Sequence, residues 1–149
     1  MKPMEHEKHY RALEQMYLAA PINKIFKPQI KVSKERAEIE IRVSRALFHS
    51  AGAVHGSVYF KMLDDAAFFA ANSIIPAYFV LTALFTTRLT RPISSGCMKS
   101  VGKVVKRSGS KIIAGAVVFN EQGQKIGRGE GTFVPSKLLL ADALGYGDA

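Results

Sequence analysis

Two adjacent carboxylates, Asp64 and Asp65, stand in the middle of a nearly all-apolar segment, GSVYFKMLDDAAFFAAN. A helix that is hydrophobic on almost every side must be buried. A buried carboxylate is costly unless something compensates it, so at least one of the two is expected to have a use. Positions four apart share a helix face. Lys61 precedes Asp65 by four and can neutralise it, whereas Asp64 has Phe60 and Phe68 as its four-apart neighbours and Lys61 three before it. Desolvation by those rings should raise the Asp64 pKa toward the range of a general base. Asp64 is therefore the candidate catalytic acid, and Asp65 the candidate for a structural ion pair.

The start of the same helix supplies a second element. A first helical turn presents N–H groups without helical partners and a partial positive charge. Gly56 and Ser57 leave that end sterically open, so a developing oxyanion can approach the Gly56 amide. Gly56 and Asp64 are eight residues apart, about 12 Å along a helix axis. One small carbonyl group cannot touch both within a single subunit. If both belong to one site, the amide of one subunit must meet the carboxylate of another, which calls for a two-fold dimer with antiparallel helices.

The elements that must hold these groups can be read from periodicity and punctuation. The central helix is expected from Gly56 to about Ser73, closed by Pro76 and preceded by a loop over 44–54. Residues 5–18 read as a first helix, with Tyr10, Leu13 and Tyr17 at helical spacing, Pro21 beyond the end, and His6 and His9 on its surface. Strands are expected near 26–32, 36–43, 78–90, 98–106, 111–120 and 125–134, with a hairpin-like turn over 121–124 and a loose tail over 138–149. Short connections imply an antiparallel sheet. The fold class expected is α+β, a single domain over 1–149 with an antiparallel sheet wrapped around one long central helix and an extra N-terminal helix. Gly127, Gly129 and Gly131 alternate within one strand; no strand-to-helix turn surrounds them, so they read as a face of close packing rather than a dinucleotide fingerprint.

Composition narrows the class further. The chain has 149 residues, 48% apolar and 22% charged, which suits one globular core. A single cysteine, Cys97, cannot form an internal disulfide, and the polar N-terminus has no apolar core of a secretory signal; a cytoplasmic location is the expectation. The stretch Ala66 to Thr87 is uncharged and long enough to span a bilayer, but Asn72, Ser73 and Pro76 interrupt it. A buried helix followed by a buried strand fits it better than a membrane span. The net charge is +9, and between Ala66 and Asn120 there is no Asp or Glu while Arg88, Arg91, Lys99, Lys103, Lys106, Arg107 and Lys111 all occur. Such a run is either a solvated sheet edge or a surface for a polyanionic ligand. No nucleic-acid-binding motif accompanies it. His49, His55, Asp64 and Asp65 lack a zinc-ligand spacing, and no metal site is expected.

Several short motifs follow one another over about 23–135. They are Ala51-Gly52-Ala53-Val54-His55-Gly56-Ser57 with Asp64-Asp65-Ala66, Leu81-Thr82 followed by Arg91-Pro92-Ile93 and Gly96, Arg107-Ser108-Gly109, and Gly129-Glu130-Gly131-Thr132-Phe133. In this order and spacing the chain resembles the PaaI-like (phenylacetic-acid-degradation type) hotdog thioesterases. The resemblance implies a hotdog fold, a homodimer or homotetramer with its active site at the dimer interface, no cofactor, and hydrolysis of an acyl-CoA thioester. By position, Asp64 would be the nucleophile or the base that activates water, and the Gly56 amide of the opposing subunit would hold the thioester oxygen. His55 would shape that loop, and Thr82 would orient water or substrate beside the acid. Arg88, Arg91, Pro92, Arg107, Ser108, Gly109 and Ser110 would lie near the pantetheine and nucleotide of coenzyme A.

Two positions depart from the family pattern. His49 replaces the usual Asn or Gln seven residues before the helix glycine, and Ser57 replaces the second glycine of His-Gly-Gly, narrowing the pocket. An imidazole still donates a hydrogen bond and titrates near neutrality, so altered pH dependence is expected. A hotdog dehydratase or hydratase using His49 with Asp64 and a non-catalytic acyl-CoA-binding protein are the alternative readings. Phe60, Phe68, Phe69, Tyr78 and Phe79 suit an aromatic pocket, an aliphatic pocket or plain core packing.

Overall fold

A computed structural model describes residues 2–147. The first helix, α1 (Pro3–Ala19), buries His9, Tyr10, Leu13, Met16 and Tyr17 along one stripe. A single helical turn, α2 (Asn23–Phe26), follows and ends at Lys27, whose φ of 48° reverses the chain. Six strands form one sheet: β1 (Gln29–Ser33), β2 (Arg36–Arg42), β3 (Tyr78–Leu89), β4 (Cys97–Ser108), β5 (Lys111–Phe119) and β6 (Lys125–Leu139). Their order is β1-β2-β4-β5-β6-β3 and every pairing is antiparallel. The central helix, α3 (Gly56–Asn72), lies across the concave face of this sheet.

Contact between α3 and the sheet is made by small residues. Ala66, Ala67, Ala70 and Ala71 are fully buried on the helix. Opposite them, a Cβ on Gly102 of β4 would run into the Ala66 carbonyl and the Ala67 amide. The missing side chain therefore sets how closely the helix backbone can approach the strand. Gly129 and Gly131 of β6 serve a different neighbour: a Cβ on either would strike the ring of Phe85, which crosses over from the paired strand β3. This is the close packing the alternating glycines suggested.

The sheet matches the expected strand order of the chain, with three corrections. First, Phe26 belongs to α2, and β1 starts at Gln29 after the reversal at Lys27. Second, the strand expected to be buried, β3, is the edge strand: Tyr78, Leu81, Leu84 and Leu89 are 42%, 50%, 63% and 47% exposed. Apolarity of a segment does not establish that its own chain covers it. Third, the tail described through Gly147 is docked rather than loose. β6 continues to Leu139, Leu140 is buried with its amide donating to the Ala77 carbonyl, and the Tyr146 hydroxyl reaches His9 at 2.7 Å. Residues 148–149 lie outside the described residues.

The same tail corrects the reading of His9 as a surface residue. It sits on the inward stripe of α1 beside Tyr10, and its Nε2 is 2.9 Å from the Asn72 carbonyl. A carbonyl only accepts, so Nε2 carries the proton and Nδ1 accepts from Tyr146. Burial lowers the His9 pKa by disfavouring the charged ring. Gly102→Ala should lower stability by about 1–3 kcal/mol, the usual result of forcing volume into a packed contact; an unchanged urea midpoint would contradict the close approach.

Candidate functional site

His55 caps α3: its Nδ1 accepts from the Ser57 amide at 3.0 Å, and the Ser57 hydroxyl lies 2.8 Å from the same nitrogen. The cap fixes where the helix starts and leaves Gly56 as its first residue, with its amide among the N–H groups that no helical carbonyl serves. A Cβ on Gly56 would stand 3.2 Å from Leu89, so glycine lets the end of β3 lie against the helix start. The preceding loop is pinned on both sides. The His55 amide donates to Leu47, the Val54 amide donates to Ile93, and the Tyr59 hydroxyl donates to the Arg91 carbonyl at 2.7 Å. Between them opens a cleft of about 350 Å³ lined by His49, Gly56, Tyr59, Leu89, Arg91 and Pro92. His49 is exposed at its rim, and its Nδ1 accepts from the Ala51 amide at 3.1 Å.

At the middle of α3 the two carboxylates part. Asp65 Oδ2 receives the Lys61 ammonium at 2.6 Å and the Tyr17 hydroxyl at 2.6 Å. Asp64 receives one donor, the Thr82 hydroxyl, at 2.9 Å. Burial pushes the Asp64 carboxyl up to about 6, the Thr82 bond opposes the rise, the Asp65 charge adds to it and the Lys61 charge opposes it. Thr82 reaches the acid because β3 is irregular there. The register slips between Thr82 and Leu84, so Thr82 opposite Phe133 and Phe85 opposite Gly131 both face the helix. Phe60 packs edge-on to Phe85 at 5.6 Å between ring centroids, and Phe68 packs on Phe79 and Phe133 at 5.2 and 6.2 Å. These rings flank Asp64 along the helix, Phe68 partly buried and Phe60 still 40% exposed.

The structure gathers some candidates and separates others. Asp64 and Thr82 form one group; Gly56, Ser57, His55, His49, Arg91 and Pro92 form another at the far end of α3. Arg88 stands on the opposite face of the sheet from Thr82, side by side with Arg128 across the β3–β6 pair. Arg107, Ser108, Gly109 and Ser110 make the exposed tip of the β4–β5 hairpin, with Gly109 at a φ of 59°. That tip is at the Asp64 end, since Ile112 pairs with Phe133 and Phe133 with Thr82. Sequence reading missed Tyr17 as the partner of Asp65, and Phe85 and Phe133 as rings beside the acid. Tyr17 was visible only as a helical apolar position, and which helix it faced had no local signal. Among the described residues, no cluster of three or more His, Cys, Asp or Glu is placed to hold a metal ion, and no helix is long and apolar enough to cross a membrane.

Comparison with known proteins gives a consistent picture. A family model described as the thioesterase superfamily matches residues 51–126, which include every member of both groups except His49. The Escherichia coli PaaI protein from the phenylacetic acid degradation operon superposes with a TM-score of 0.81 at 16% identity, covering 90% of this chain and 97% of that one. A thioesterase of Haemophilus influenzae superposes with a TM-score of 0.75 at 13% identity, covering 84% and 88%. A conserved protein of Pseudomonas aeruginosa gives 0.73 at 20% identity, covering 83% and 98%. At such identities the likeness shows a shared fold. The search of curated proteins returns no match.

The Asp64 carboxyl should titrate near pH 6 when followed by carbon NMR. Thr82→Val removes a donor to the ionised form, so its midpoint should move upward. A midpoint at the ordinary carboxylate value in the unmodified protein would remove the desolvated site.

Proposed function

This chain belongs to the thioesterase superfamily and has the hotdog fold, and on that premise we propose that it hydrolyses an acyl-CoA thioester to the free acid and coenzyme A. The observation that carries the reading is the state of Asp64: half-buried between aromatic rings, oriented by Thr82, and not neutralised by the cation beside it. An ionised carboxylate so placed either attacks the thioester carbonyl carbon or takes a proton from a water that attacks it. The carbon–sulfur bond breaks, sulfur leaves as thiolate and is protonated, and the acid is released after water supplies the second oxygen. Thr82 holds the Asp64 oxygen in place in either route.

The carbonyl oxygen needs a donor, and the Gly56 amide at the positive end of α3 is suited to it. In one chain Gly56 lies against Leu89 while Asp64 lies against Thr82, seven positions away along β3. The exposed apolar edge of β3 supports a way to unite them. Two copies of β3 paired antiparallel about the midpoint between Phe85 and Thr86 would set Thr82 opposite the partner's Leu89. The partner's Gly56 would then approach Asp64. Pairing would also bury Leu81 and Leu84 and satisfy the free edge. It would bring the partner's Arg91 toward this chain's Arg107–Ser110 tip, a basic surround for the phosphates of coenzyme A.

Thiol release from a panel of acyl-CoA esters tests the activity. Asp64→Asn should lower kcat by about two to four orders of magnitude, and the acid limb of the kcat profile should fall as pH drops through about 6. Turnover by Asp64→Asn at the level of the unmodified enzyme, or binding of esters without any thiol release, would refute the assignment. Leu84→Lys places a charge on the pairing edge; sedimentation should show monomers and turnover should collapse with it, whereas an active monomer would rule out the shared site.

A further inference from the structure

Lys61 is three residues before one carboxylate and four before the next, so helix geometry lets a single ammonium serve either Asp64 or Asp65. The structure commits it to Asp65. Its Nζ is 2.6 Å from Asp65 Oδ2 and 5.1 Å from the ring centroids of both Tyr17 and Phe26. The Tyr17 hydroxyl donates to the same oxygen, and the Lys61 and Asp65 side chains are only 14% and 19% exposed. Resting on the reading of Asp64 as the catalytic acid, we propose that Asp65, anchored by Tyr17 of α1, is a positioning residue that holds the Lys61 ammonium off Asp64 and leaves that acid without a counter-ion. The N-terminal helix thus acts on the site through one phenol, although none of its residues touches Asp64 in a hydrogen bond.

Few charges surround Asp64. Its own helix presents Lys61 and Asp65, α1 presents Tyr17, and β3 presents the neutral Thr82. The strands beneath α3 offer Ala37, Ile39 and Ile41 from β2, Met98, Ser100 and Gly102 from β4, Ile112, Ala114 and Ala116 from β5, and Gly131 and Phe133 from β6. None of these carries a charge. If Asp65 loses its charge, Asp64 becomes the one carboxylate within helical reach of Lys61. If Lys61 loses its charge, Asp64 is left beside an anion in a desolvated place. The two changes act in opposite directions on the ease of ionising Asp64.

Carbon NMR titration of Asp64 in three variants, each also assayed for its kcat–pH profile, decides the matter. Asp65→Asn should lower the Asp64 midpoint by about one pH unit and Lys61→Met should raise it by about as much. Lys61→Met combined with Asp65→Asn removes both charges and should return the midpoint to within a few tenths of a unit of the unmodified value, without leaving either member of that ion pair unpartnered. Midpoints that stay put in both single variants, or that move in the same direction, would overturn the proposal. The NMR readout does not depend on turnover. If midpoints move as expected while the kcat profile fails to follow, the positioning holds and the catalytic assignment of Asp64 is the part that fails.

Discussion

The contact between the backbone of α3 and Gly102 governs the rest of this structure. Four buried alanines on the helix and a glycine on β4 allow an approach that any larger pair would prevent. Such a contact sets the distance between helix and sheet and also the rotation of the helix about its axis, because small residues must face the strand. With Ala66, Ala67, Ala70 and Ala71 turned down, Asp64 turns toward β3 and Asp65 toward α1. Two neighbouring residues of one type thereby enter different surroundings, and their chemistry separates for reasons of packing alone.

The separation has an energetic signature. Asp65 is compensated by a cation and a phenol, an arrangement that fastens α1 to α3. Asp64 has one neutral donor, and its folded-state pKa lies above the ordinary value, at about 6. A group raised in this way binds its proton more tightly in the folded chain. Its contribution to stability is full below the unfolded pKa and is lost as pH rises through about 6, a difference on the order of 2–3 kcal/mol. At neutral pH the fold thus carries an ionised group that costs stability.

Much of the fold was legible because it rests on local periodicity. Alternation in Arg36–Arg42 and Lys111–Phe119, helical spacing in the two long helices, and breaks at Pro21 and Pro76 all appear where the sequence places them. Within the site, Phe60 and Phe68 announced the desolvation of Asp64, and the spacing of Lys61 announced the ion pair of Asp65. Less legible were features that depend on which elements meet. His9 and Tyr146 are separated by most of the chain, and nothing near either one foretold their bond. The exposed leucines of β3 looked like core because apolar residues report a need for cover without naming its source.

By itself the sequence determined which residues could be reactive and which segments are helical or extended, because both follow from residue type and short-range spacing. It also determined that Gly56 and Asp64 are too far apart along one helix to share a small group. Tertiary structure alone decided that Thr82, through an irregularity in β3, points at Asp64, and that Tyr17 holds Asp65 and Lys61 together. It alone placed β3 at the open edge of the sheet. Those facts come from register, helix rotation and strand order, which are set by packing between distant segments and leave no trace in the spacing of any one of them.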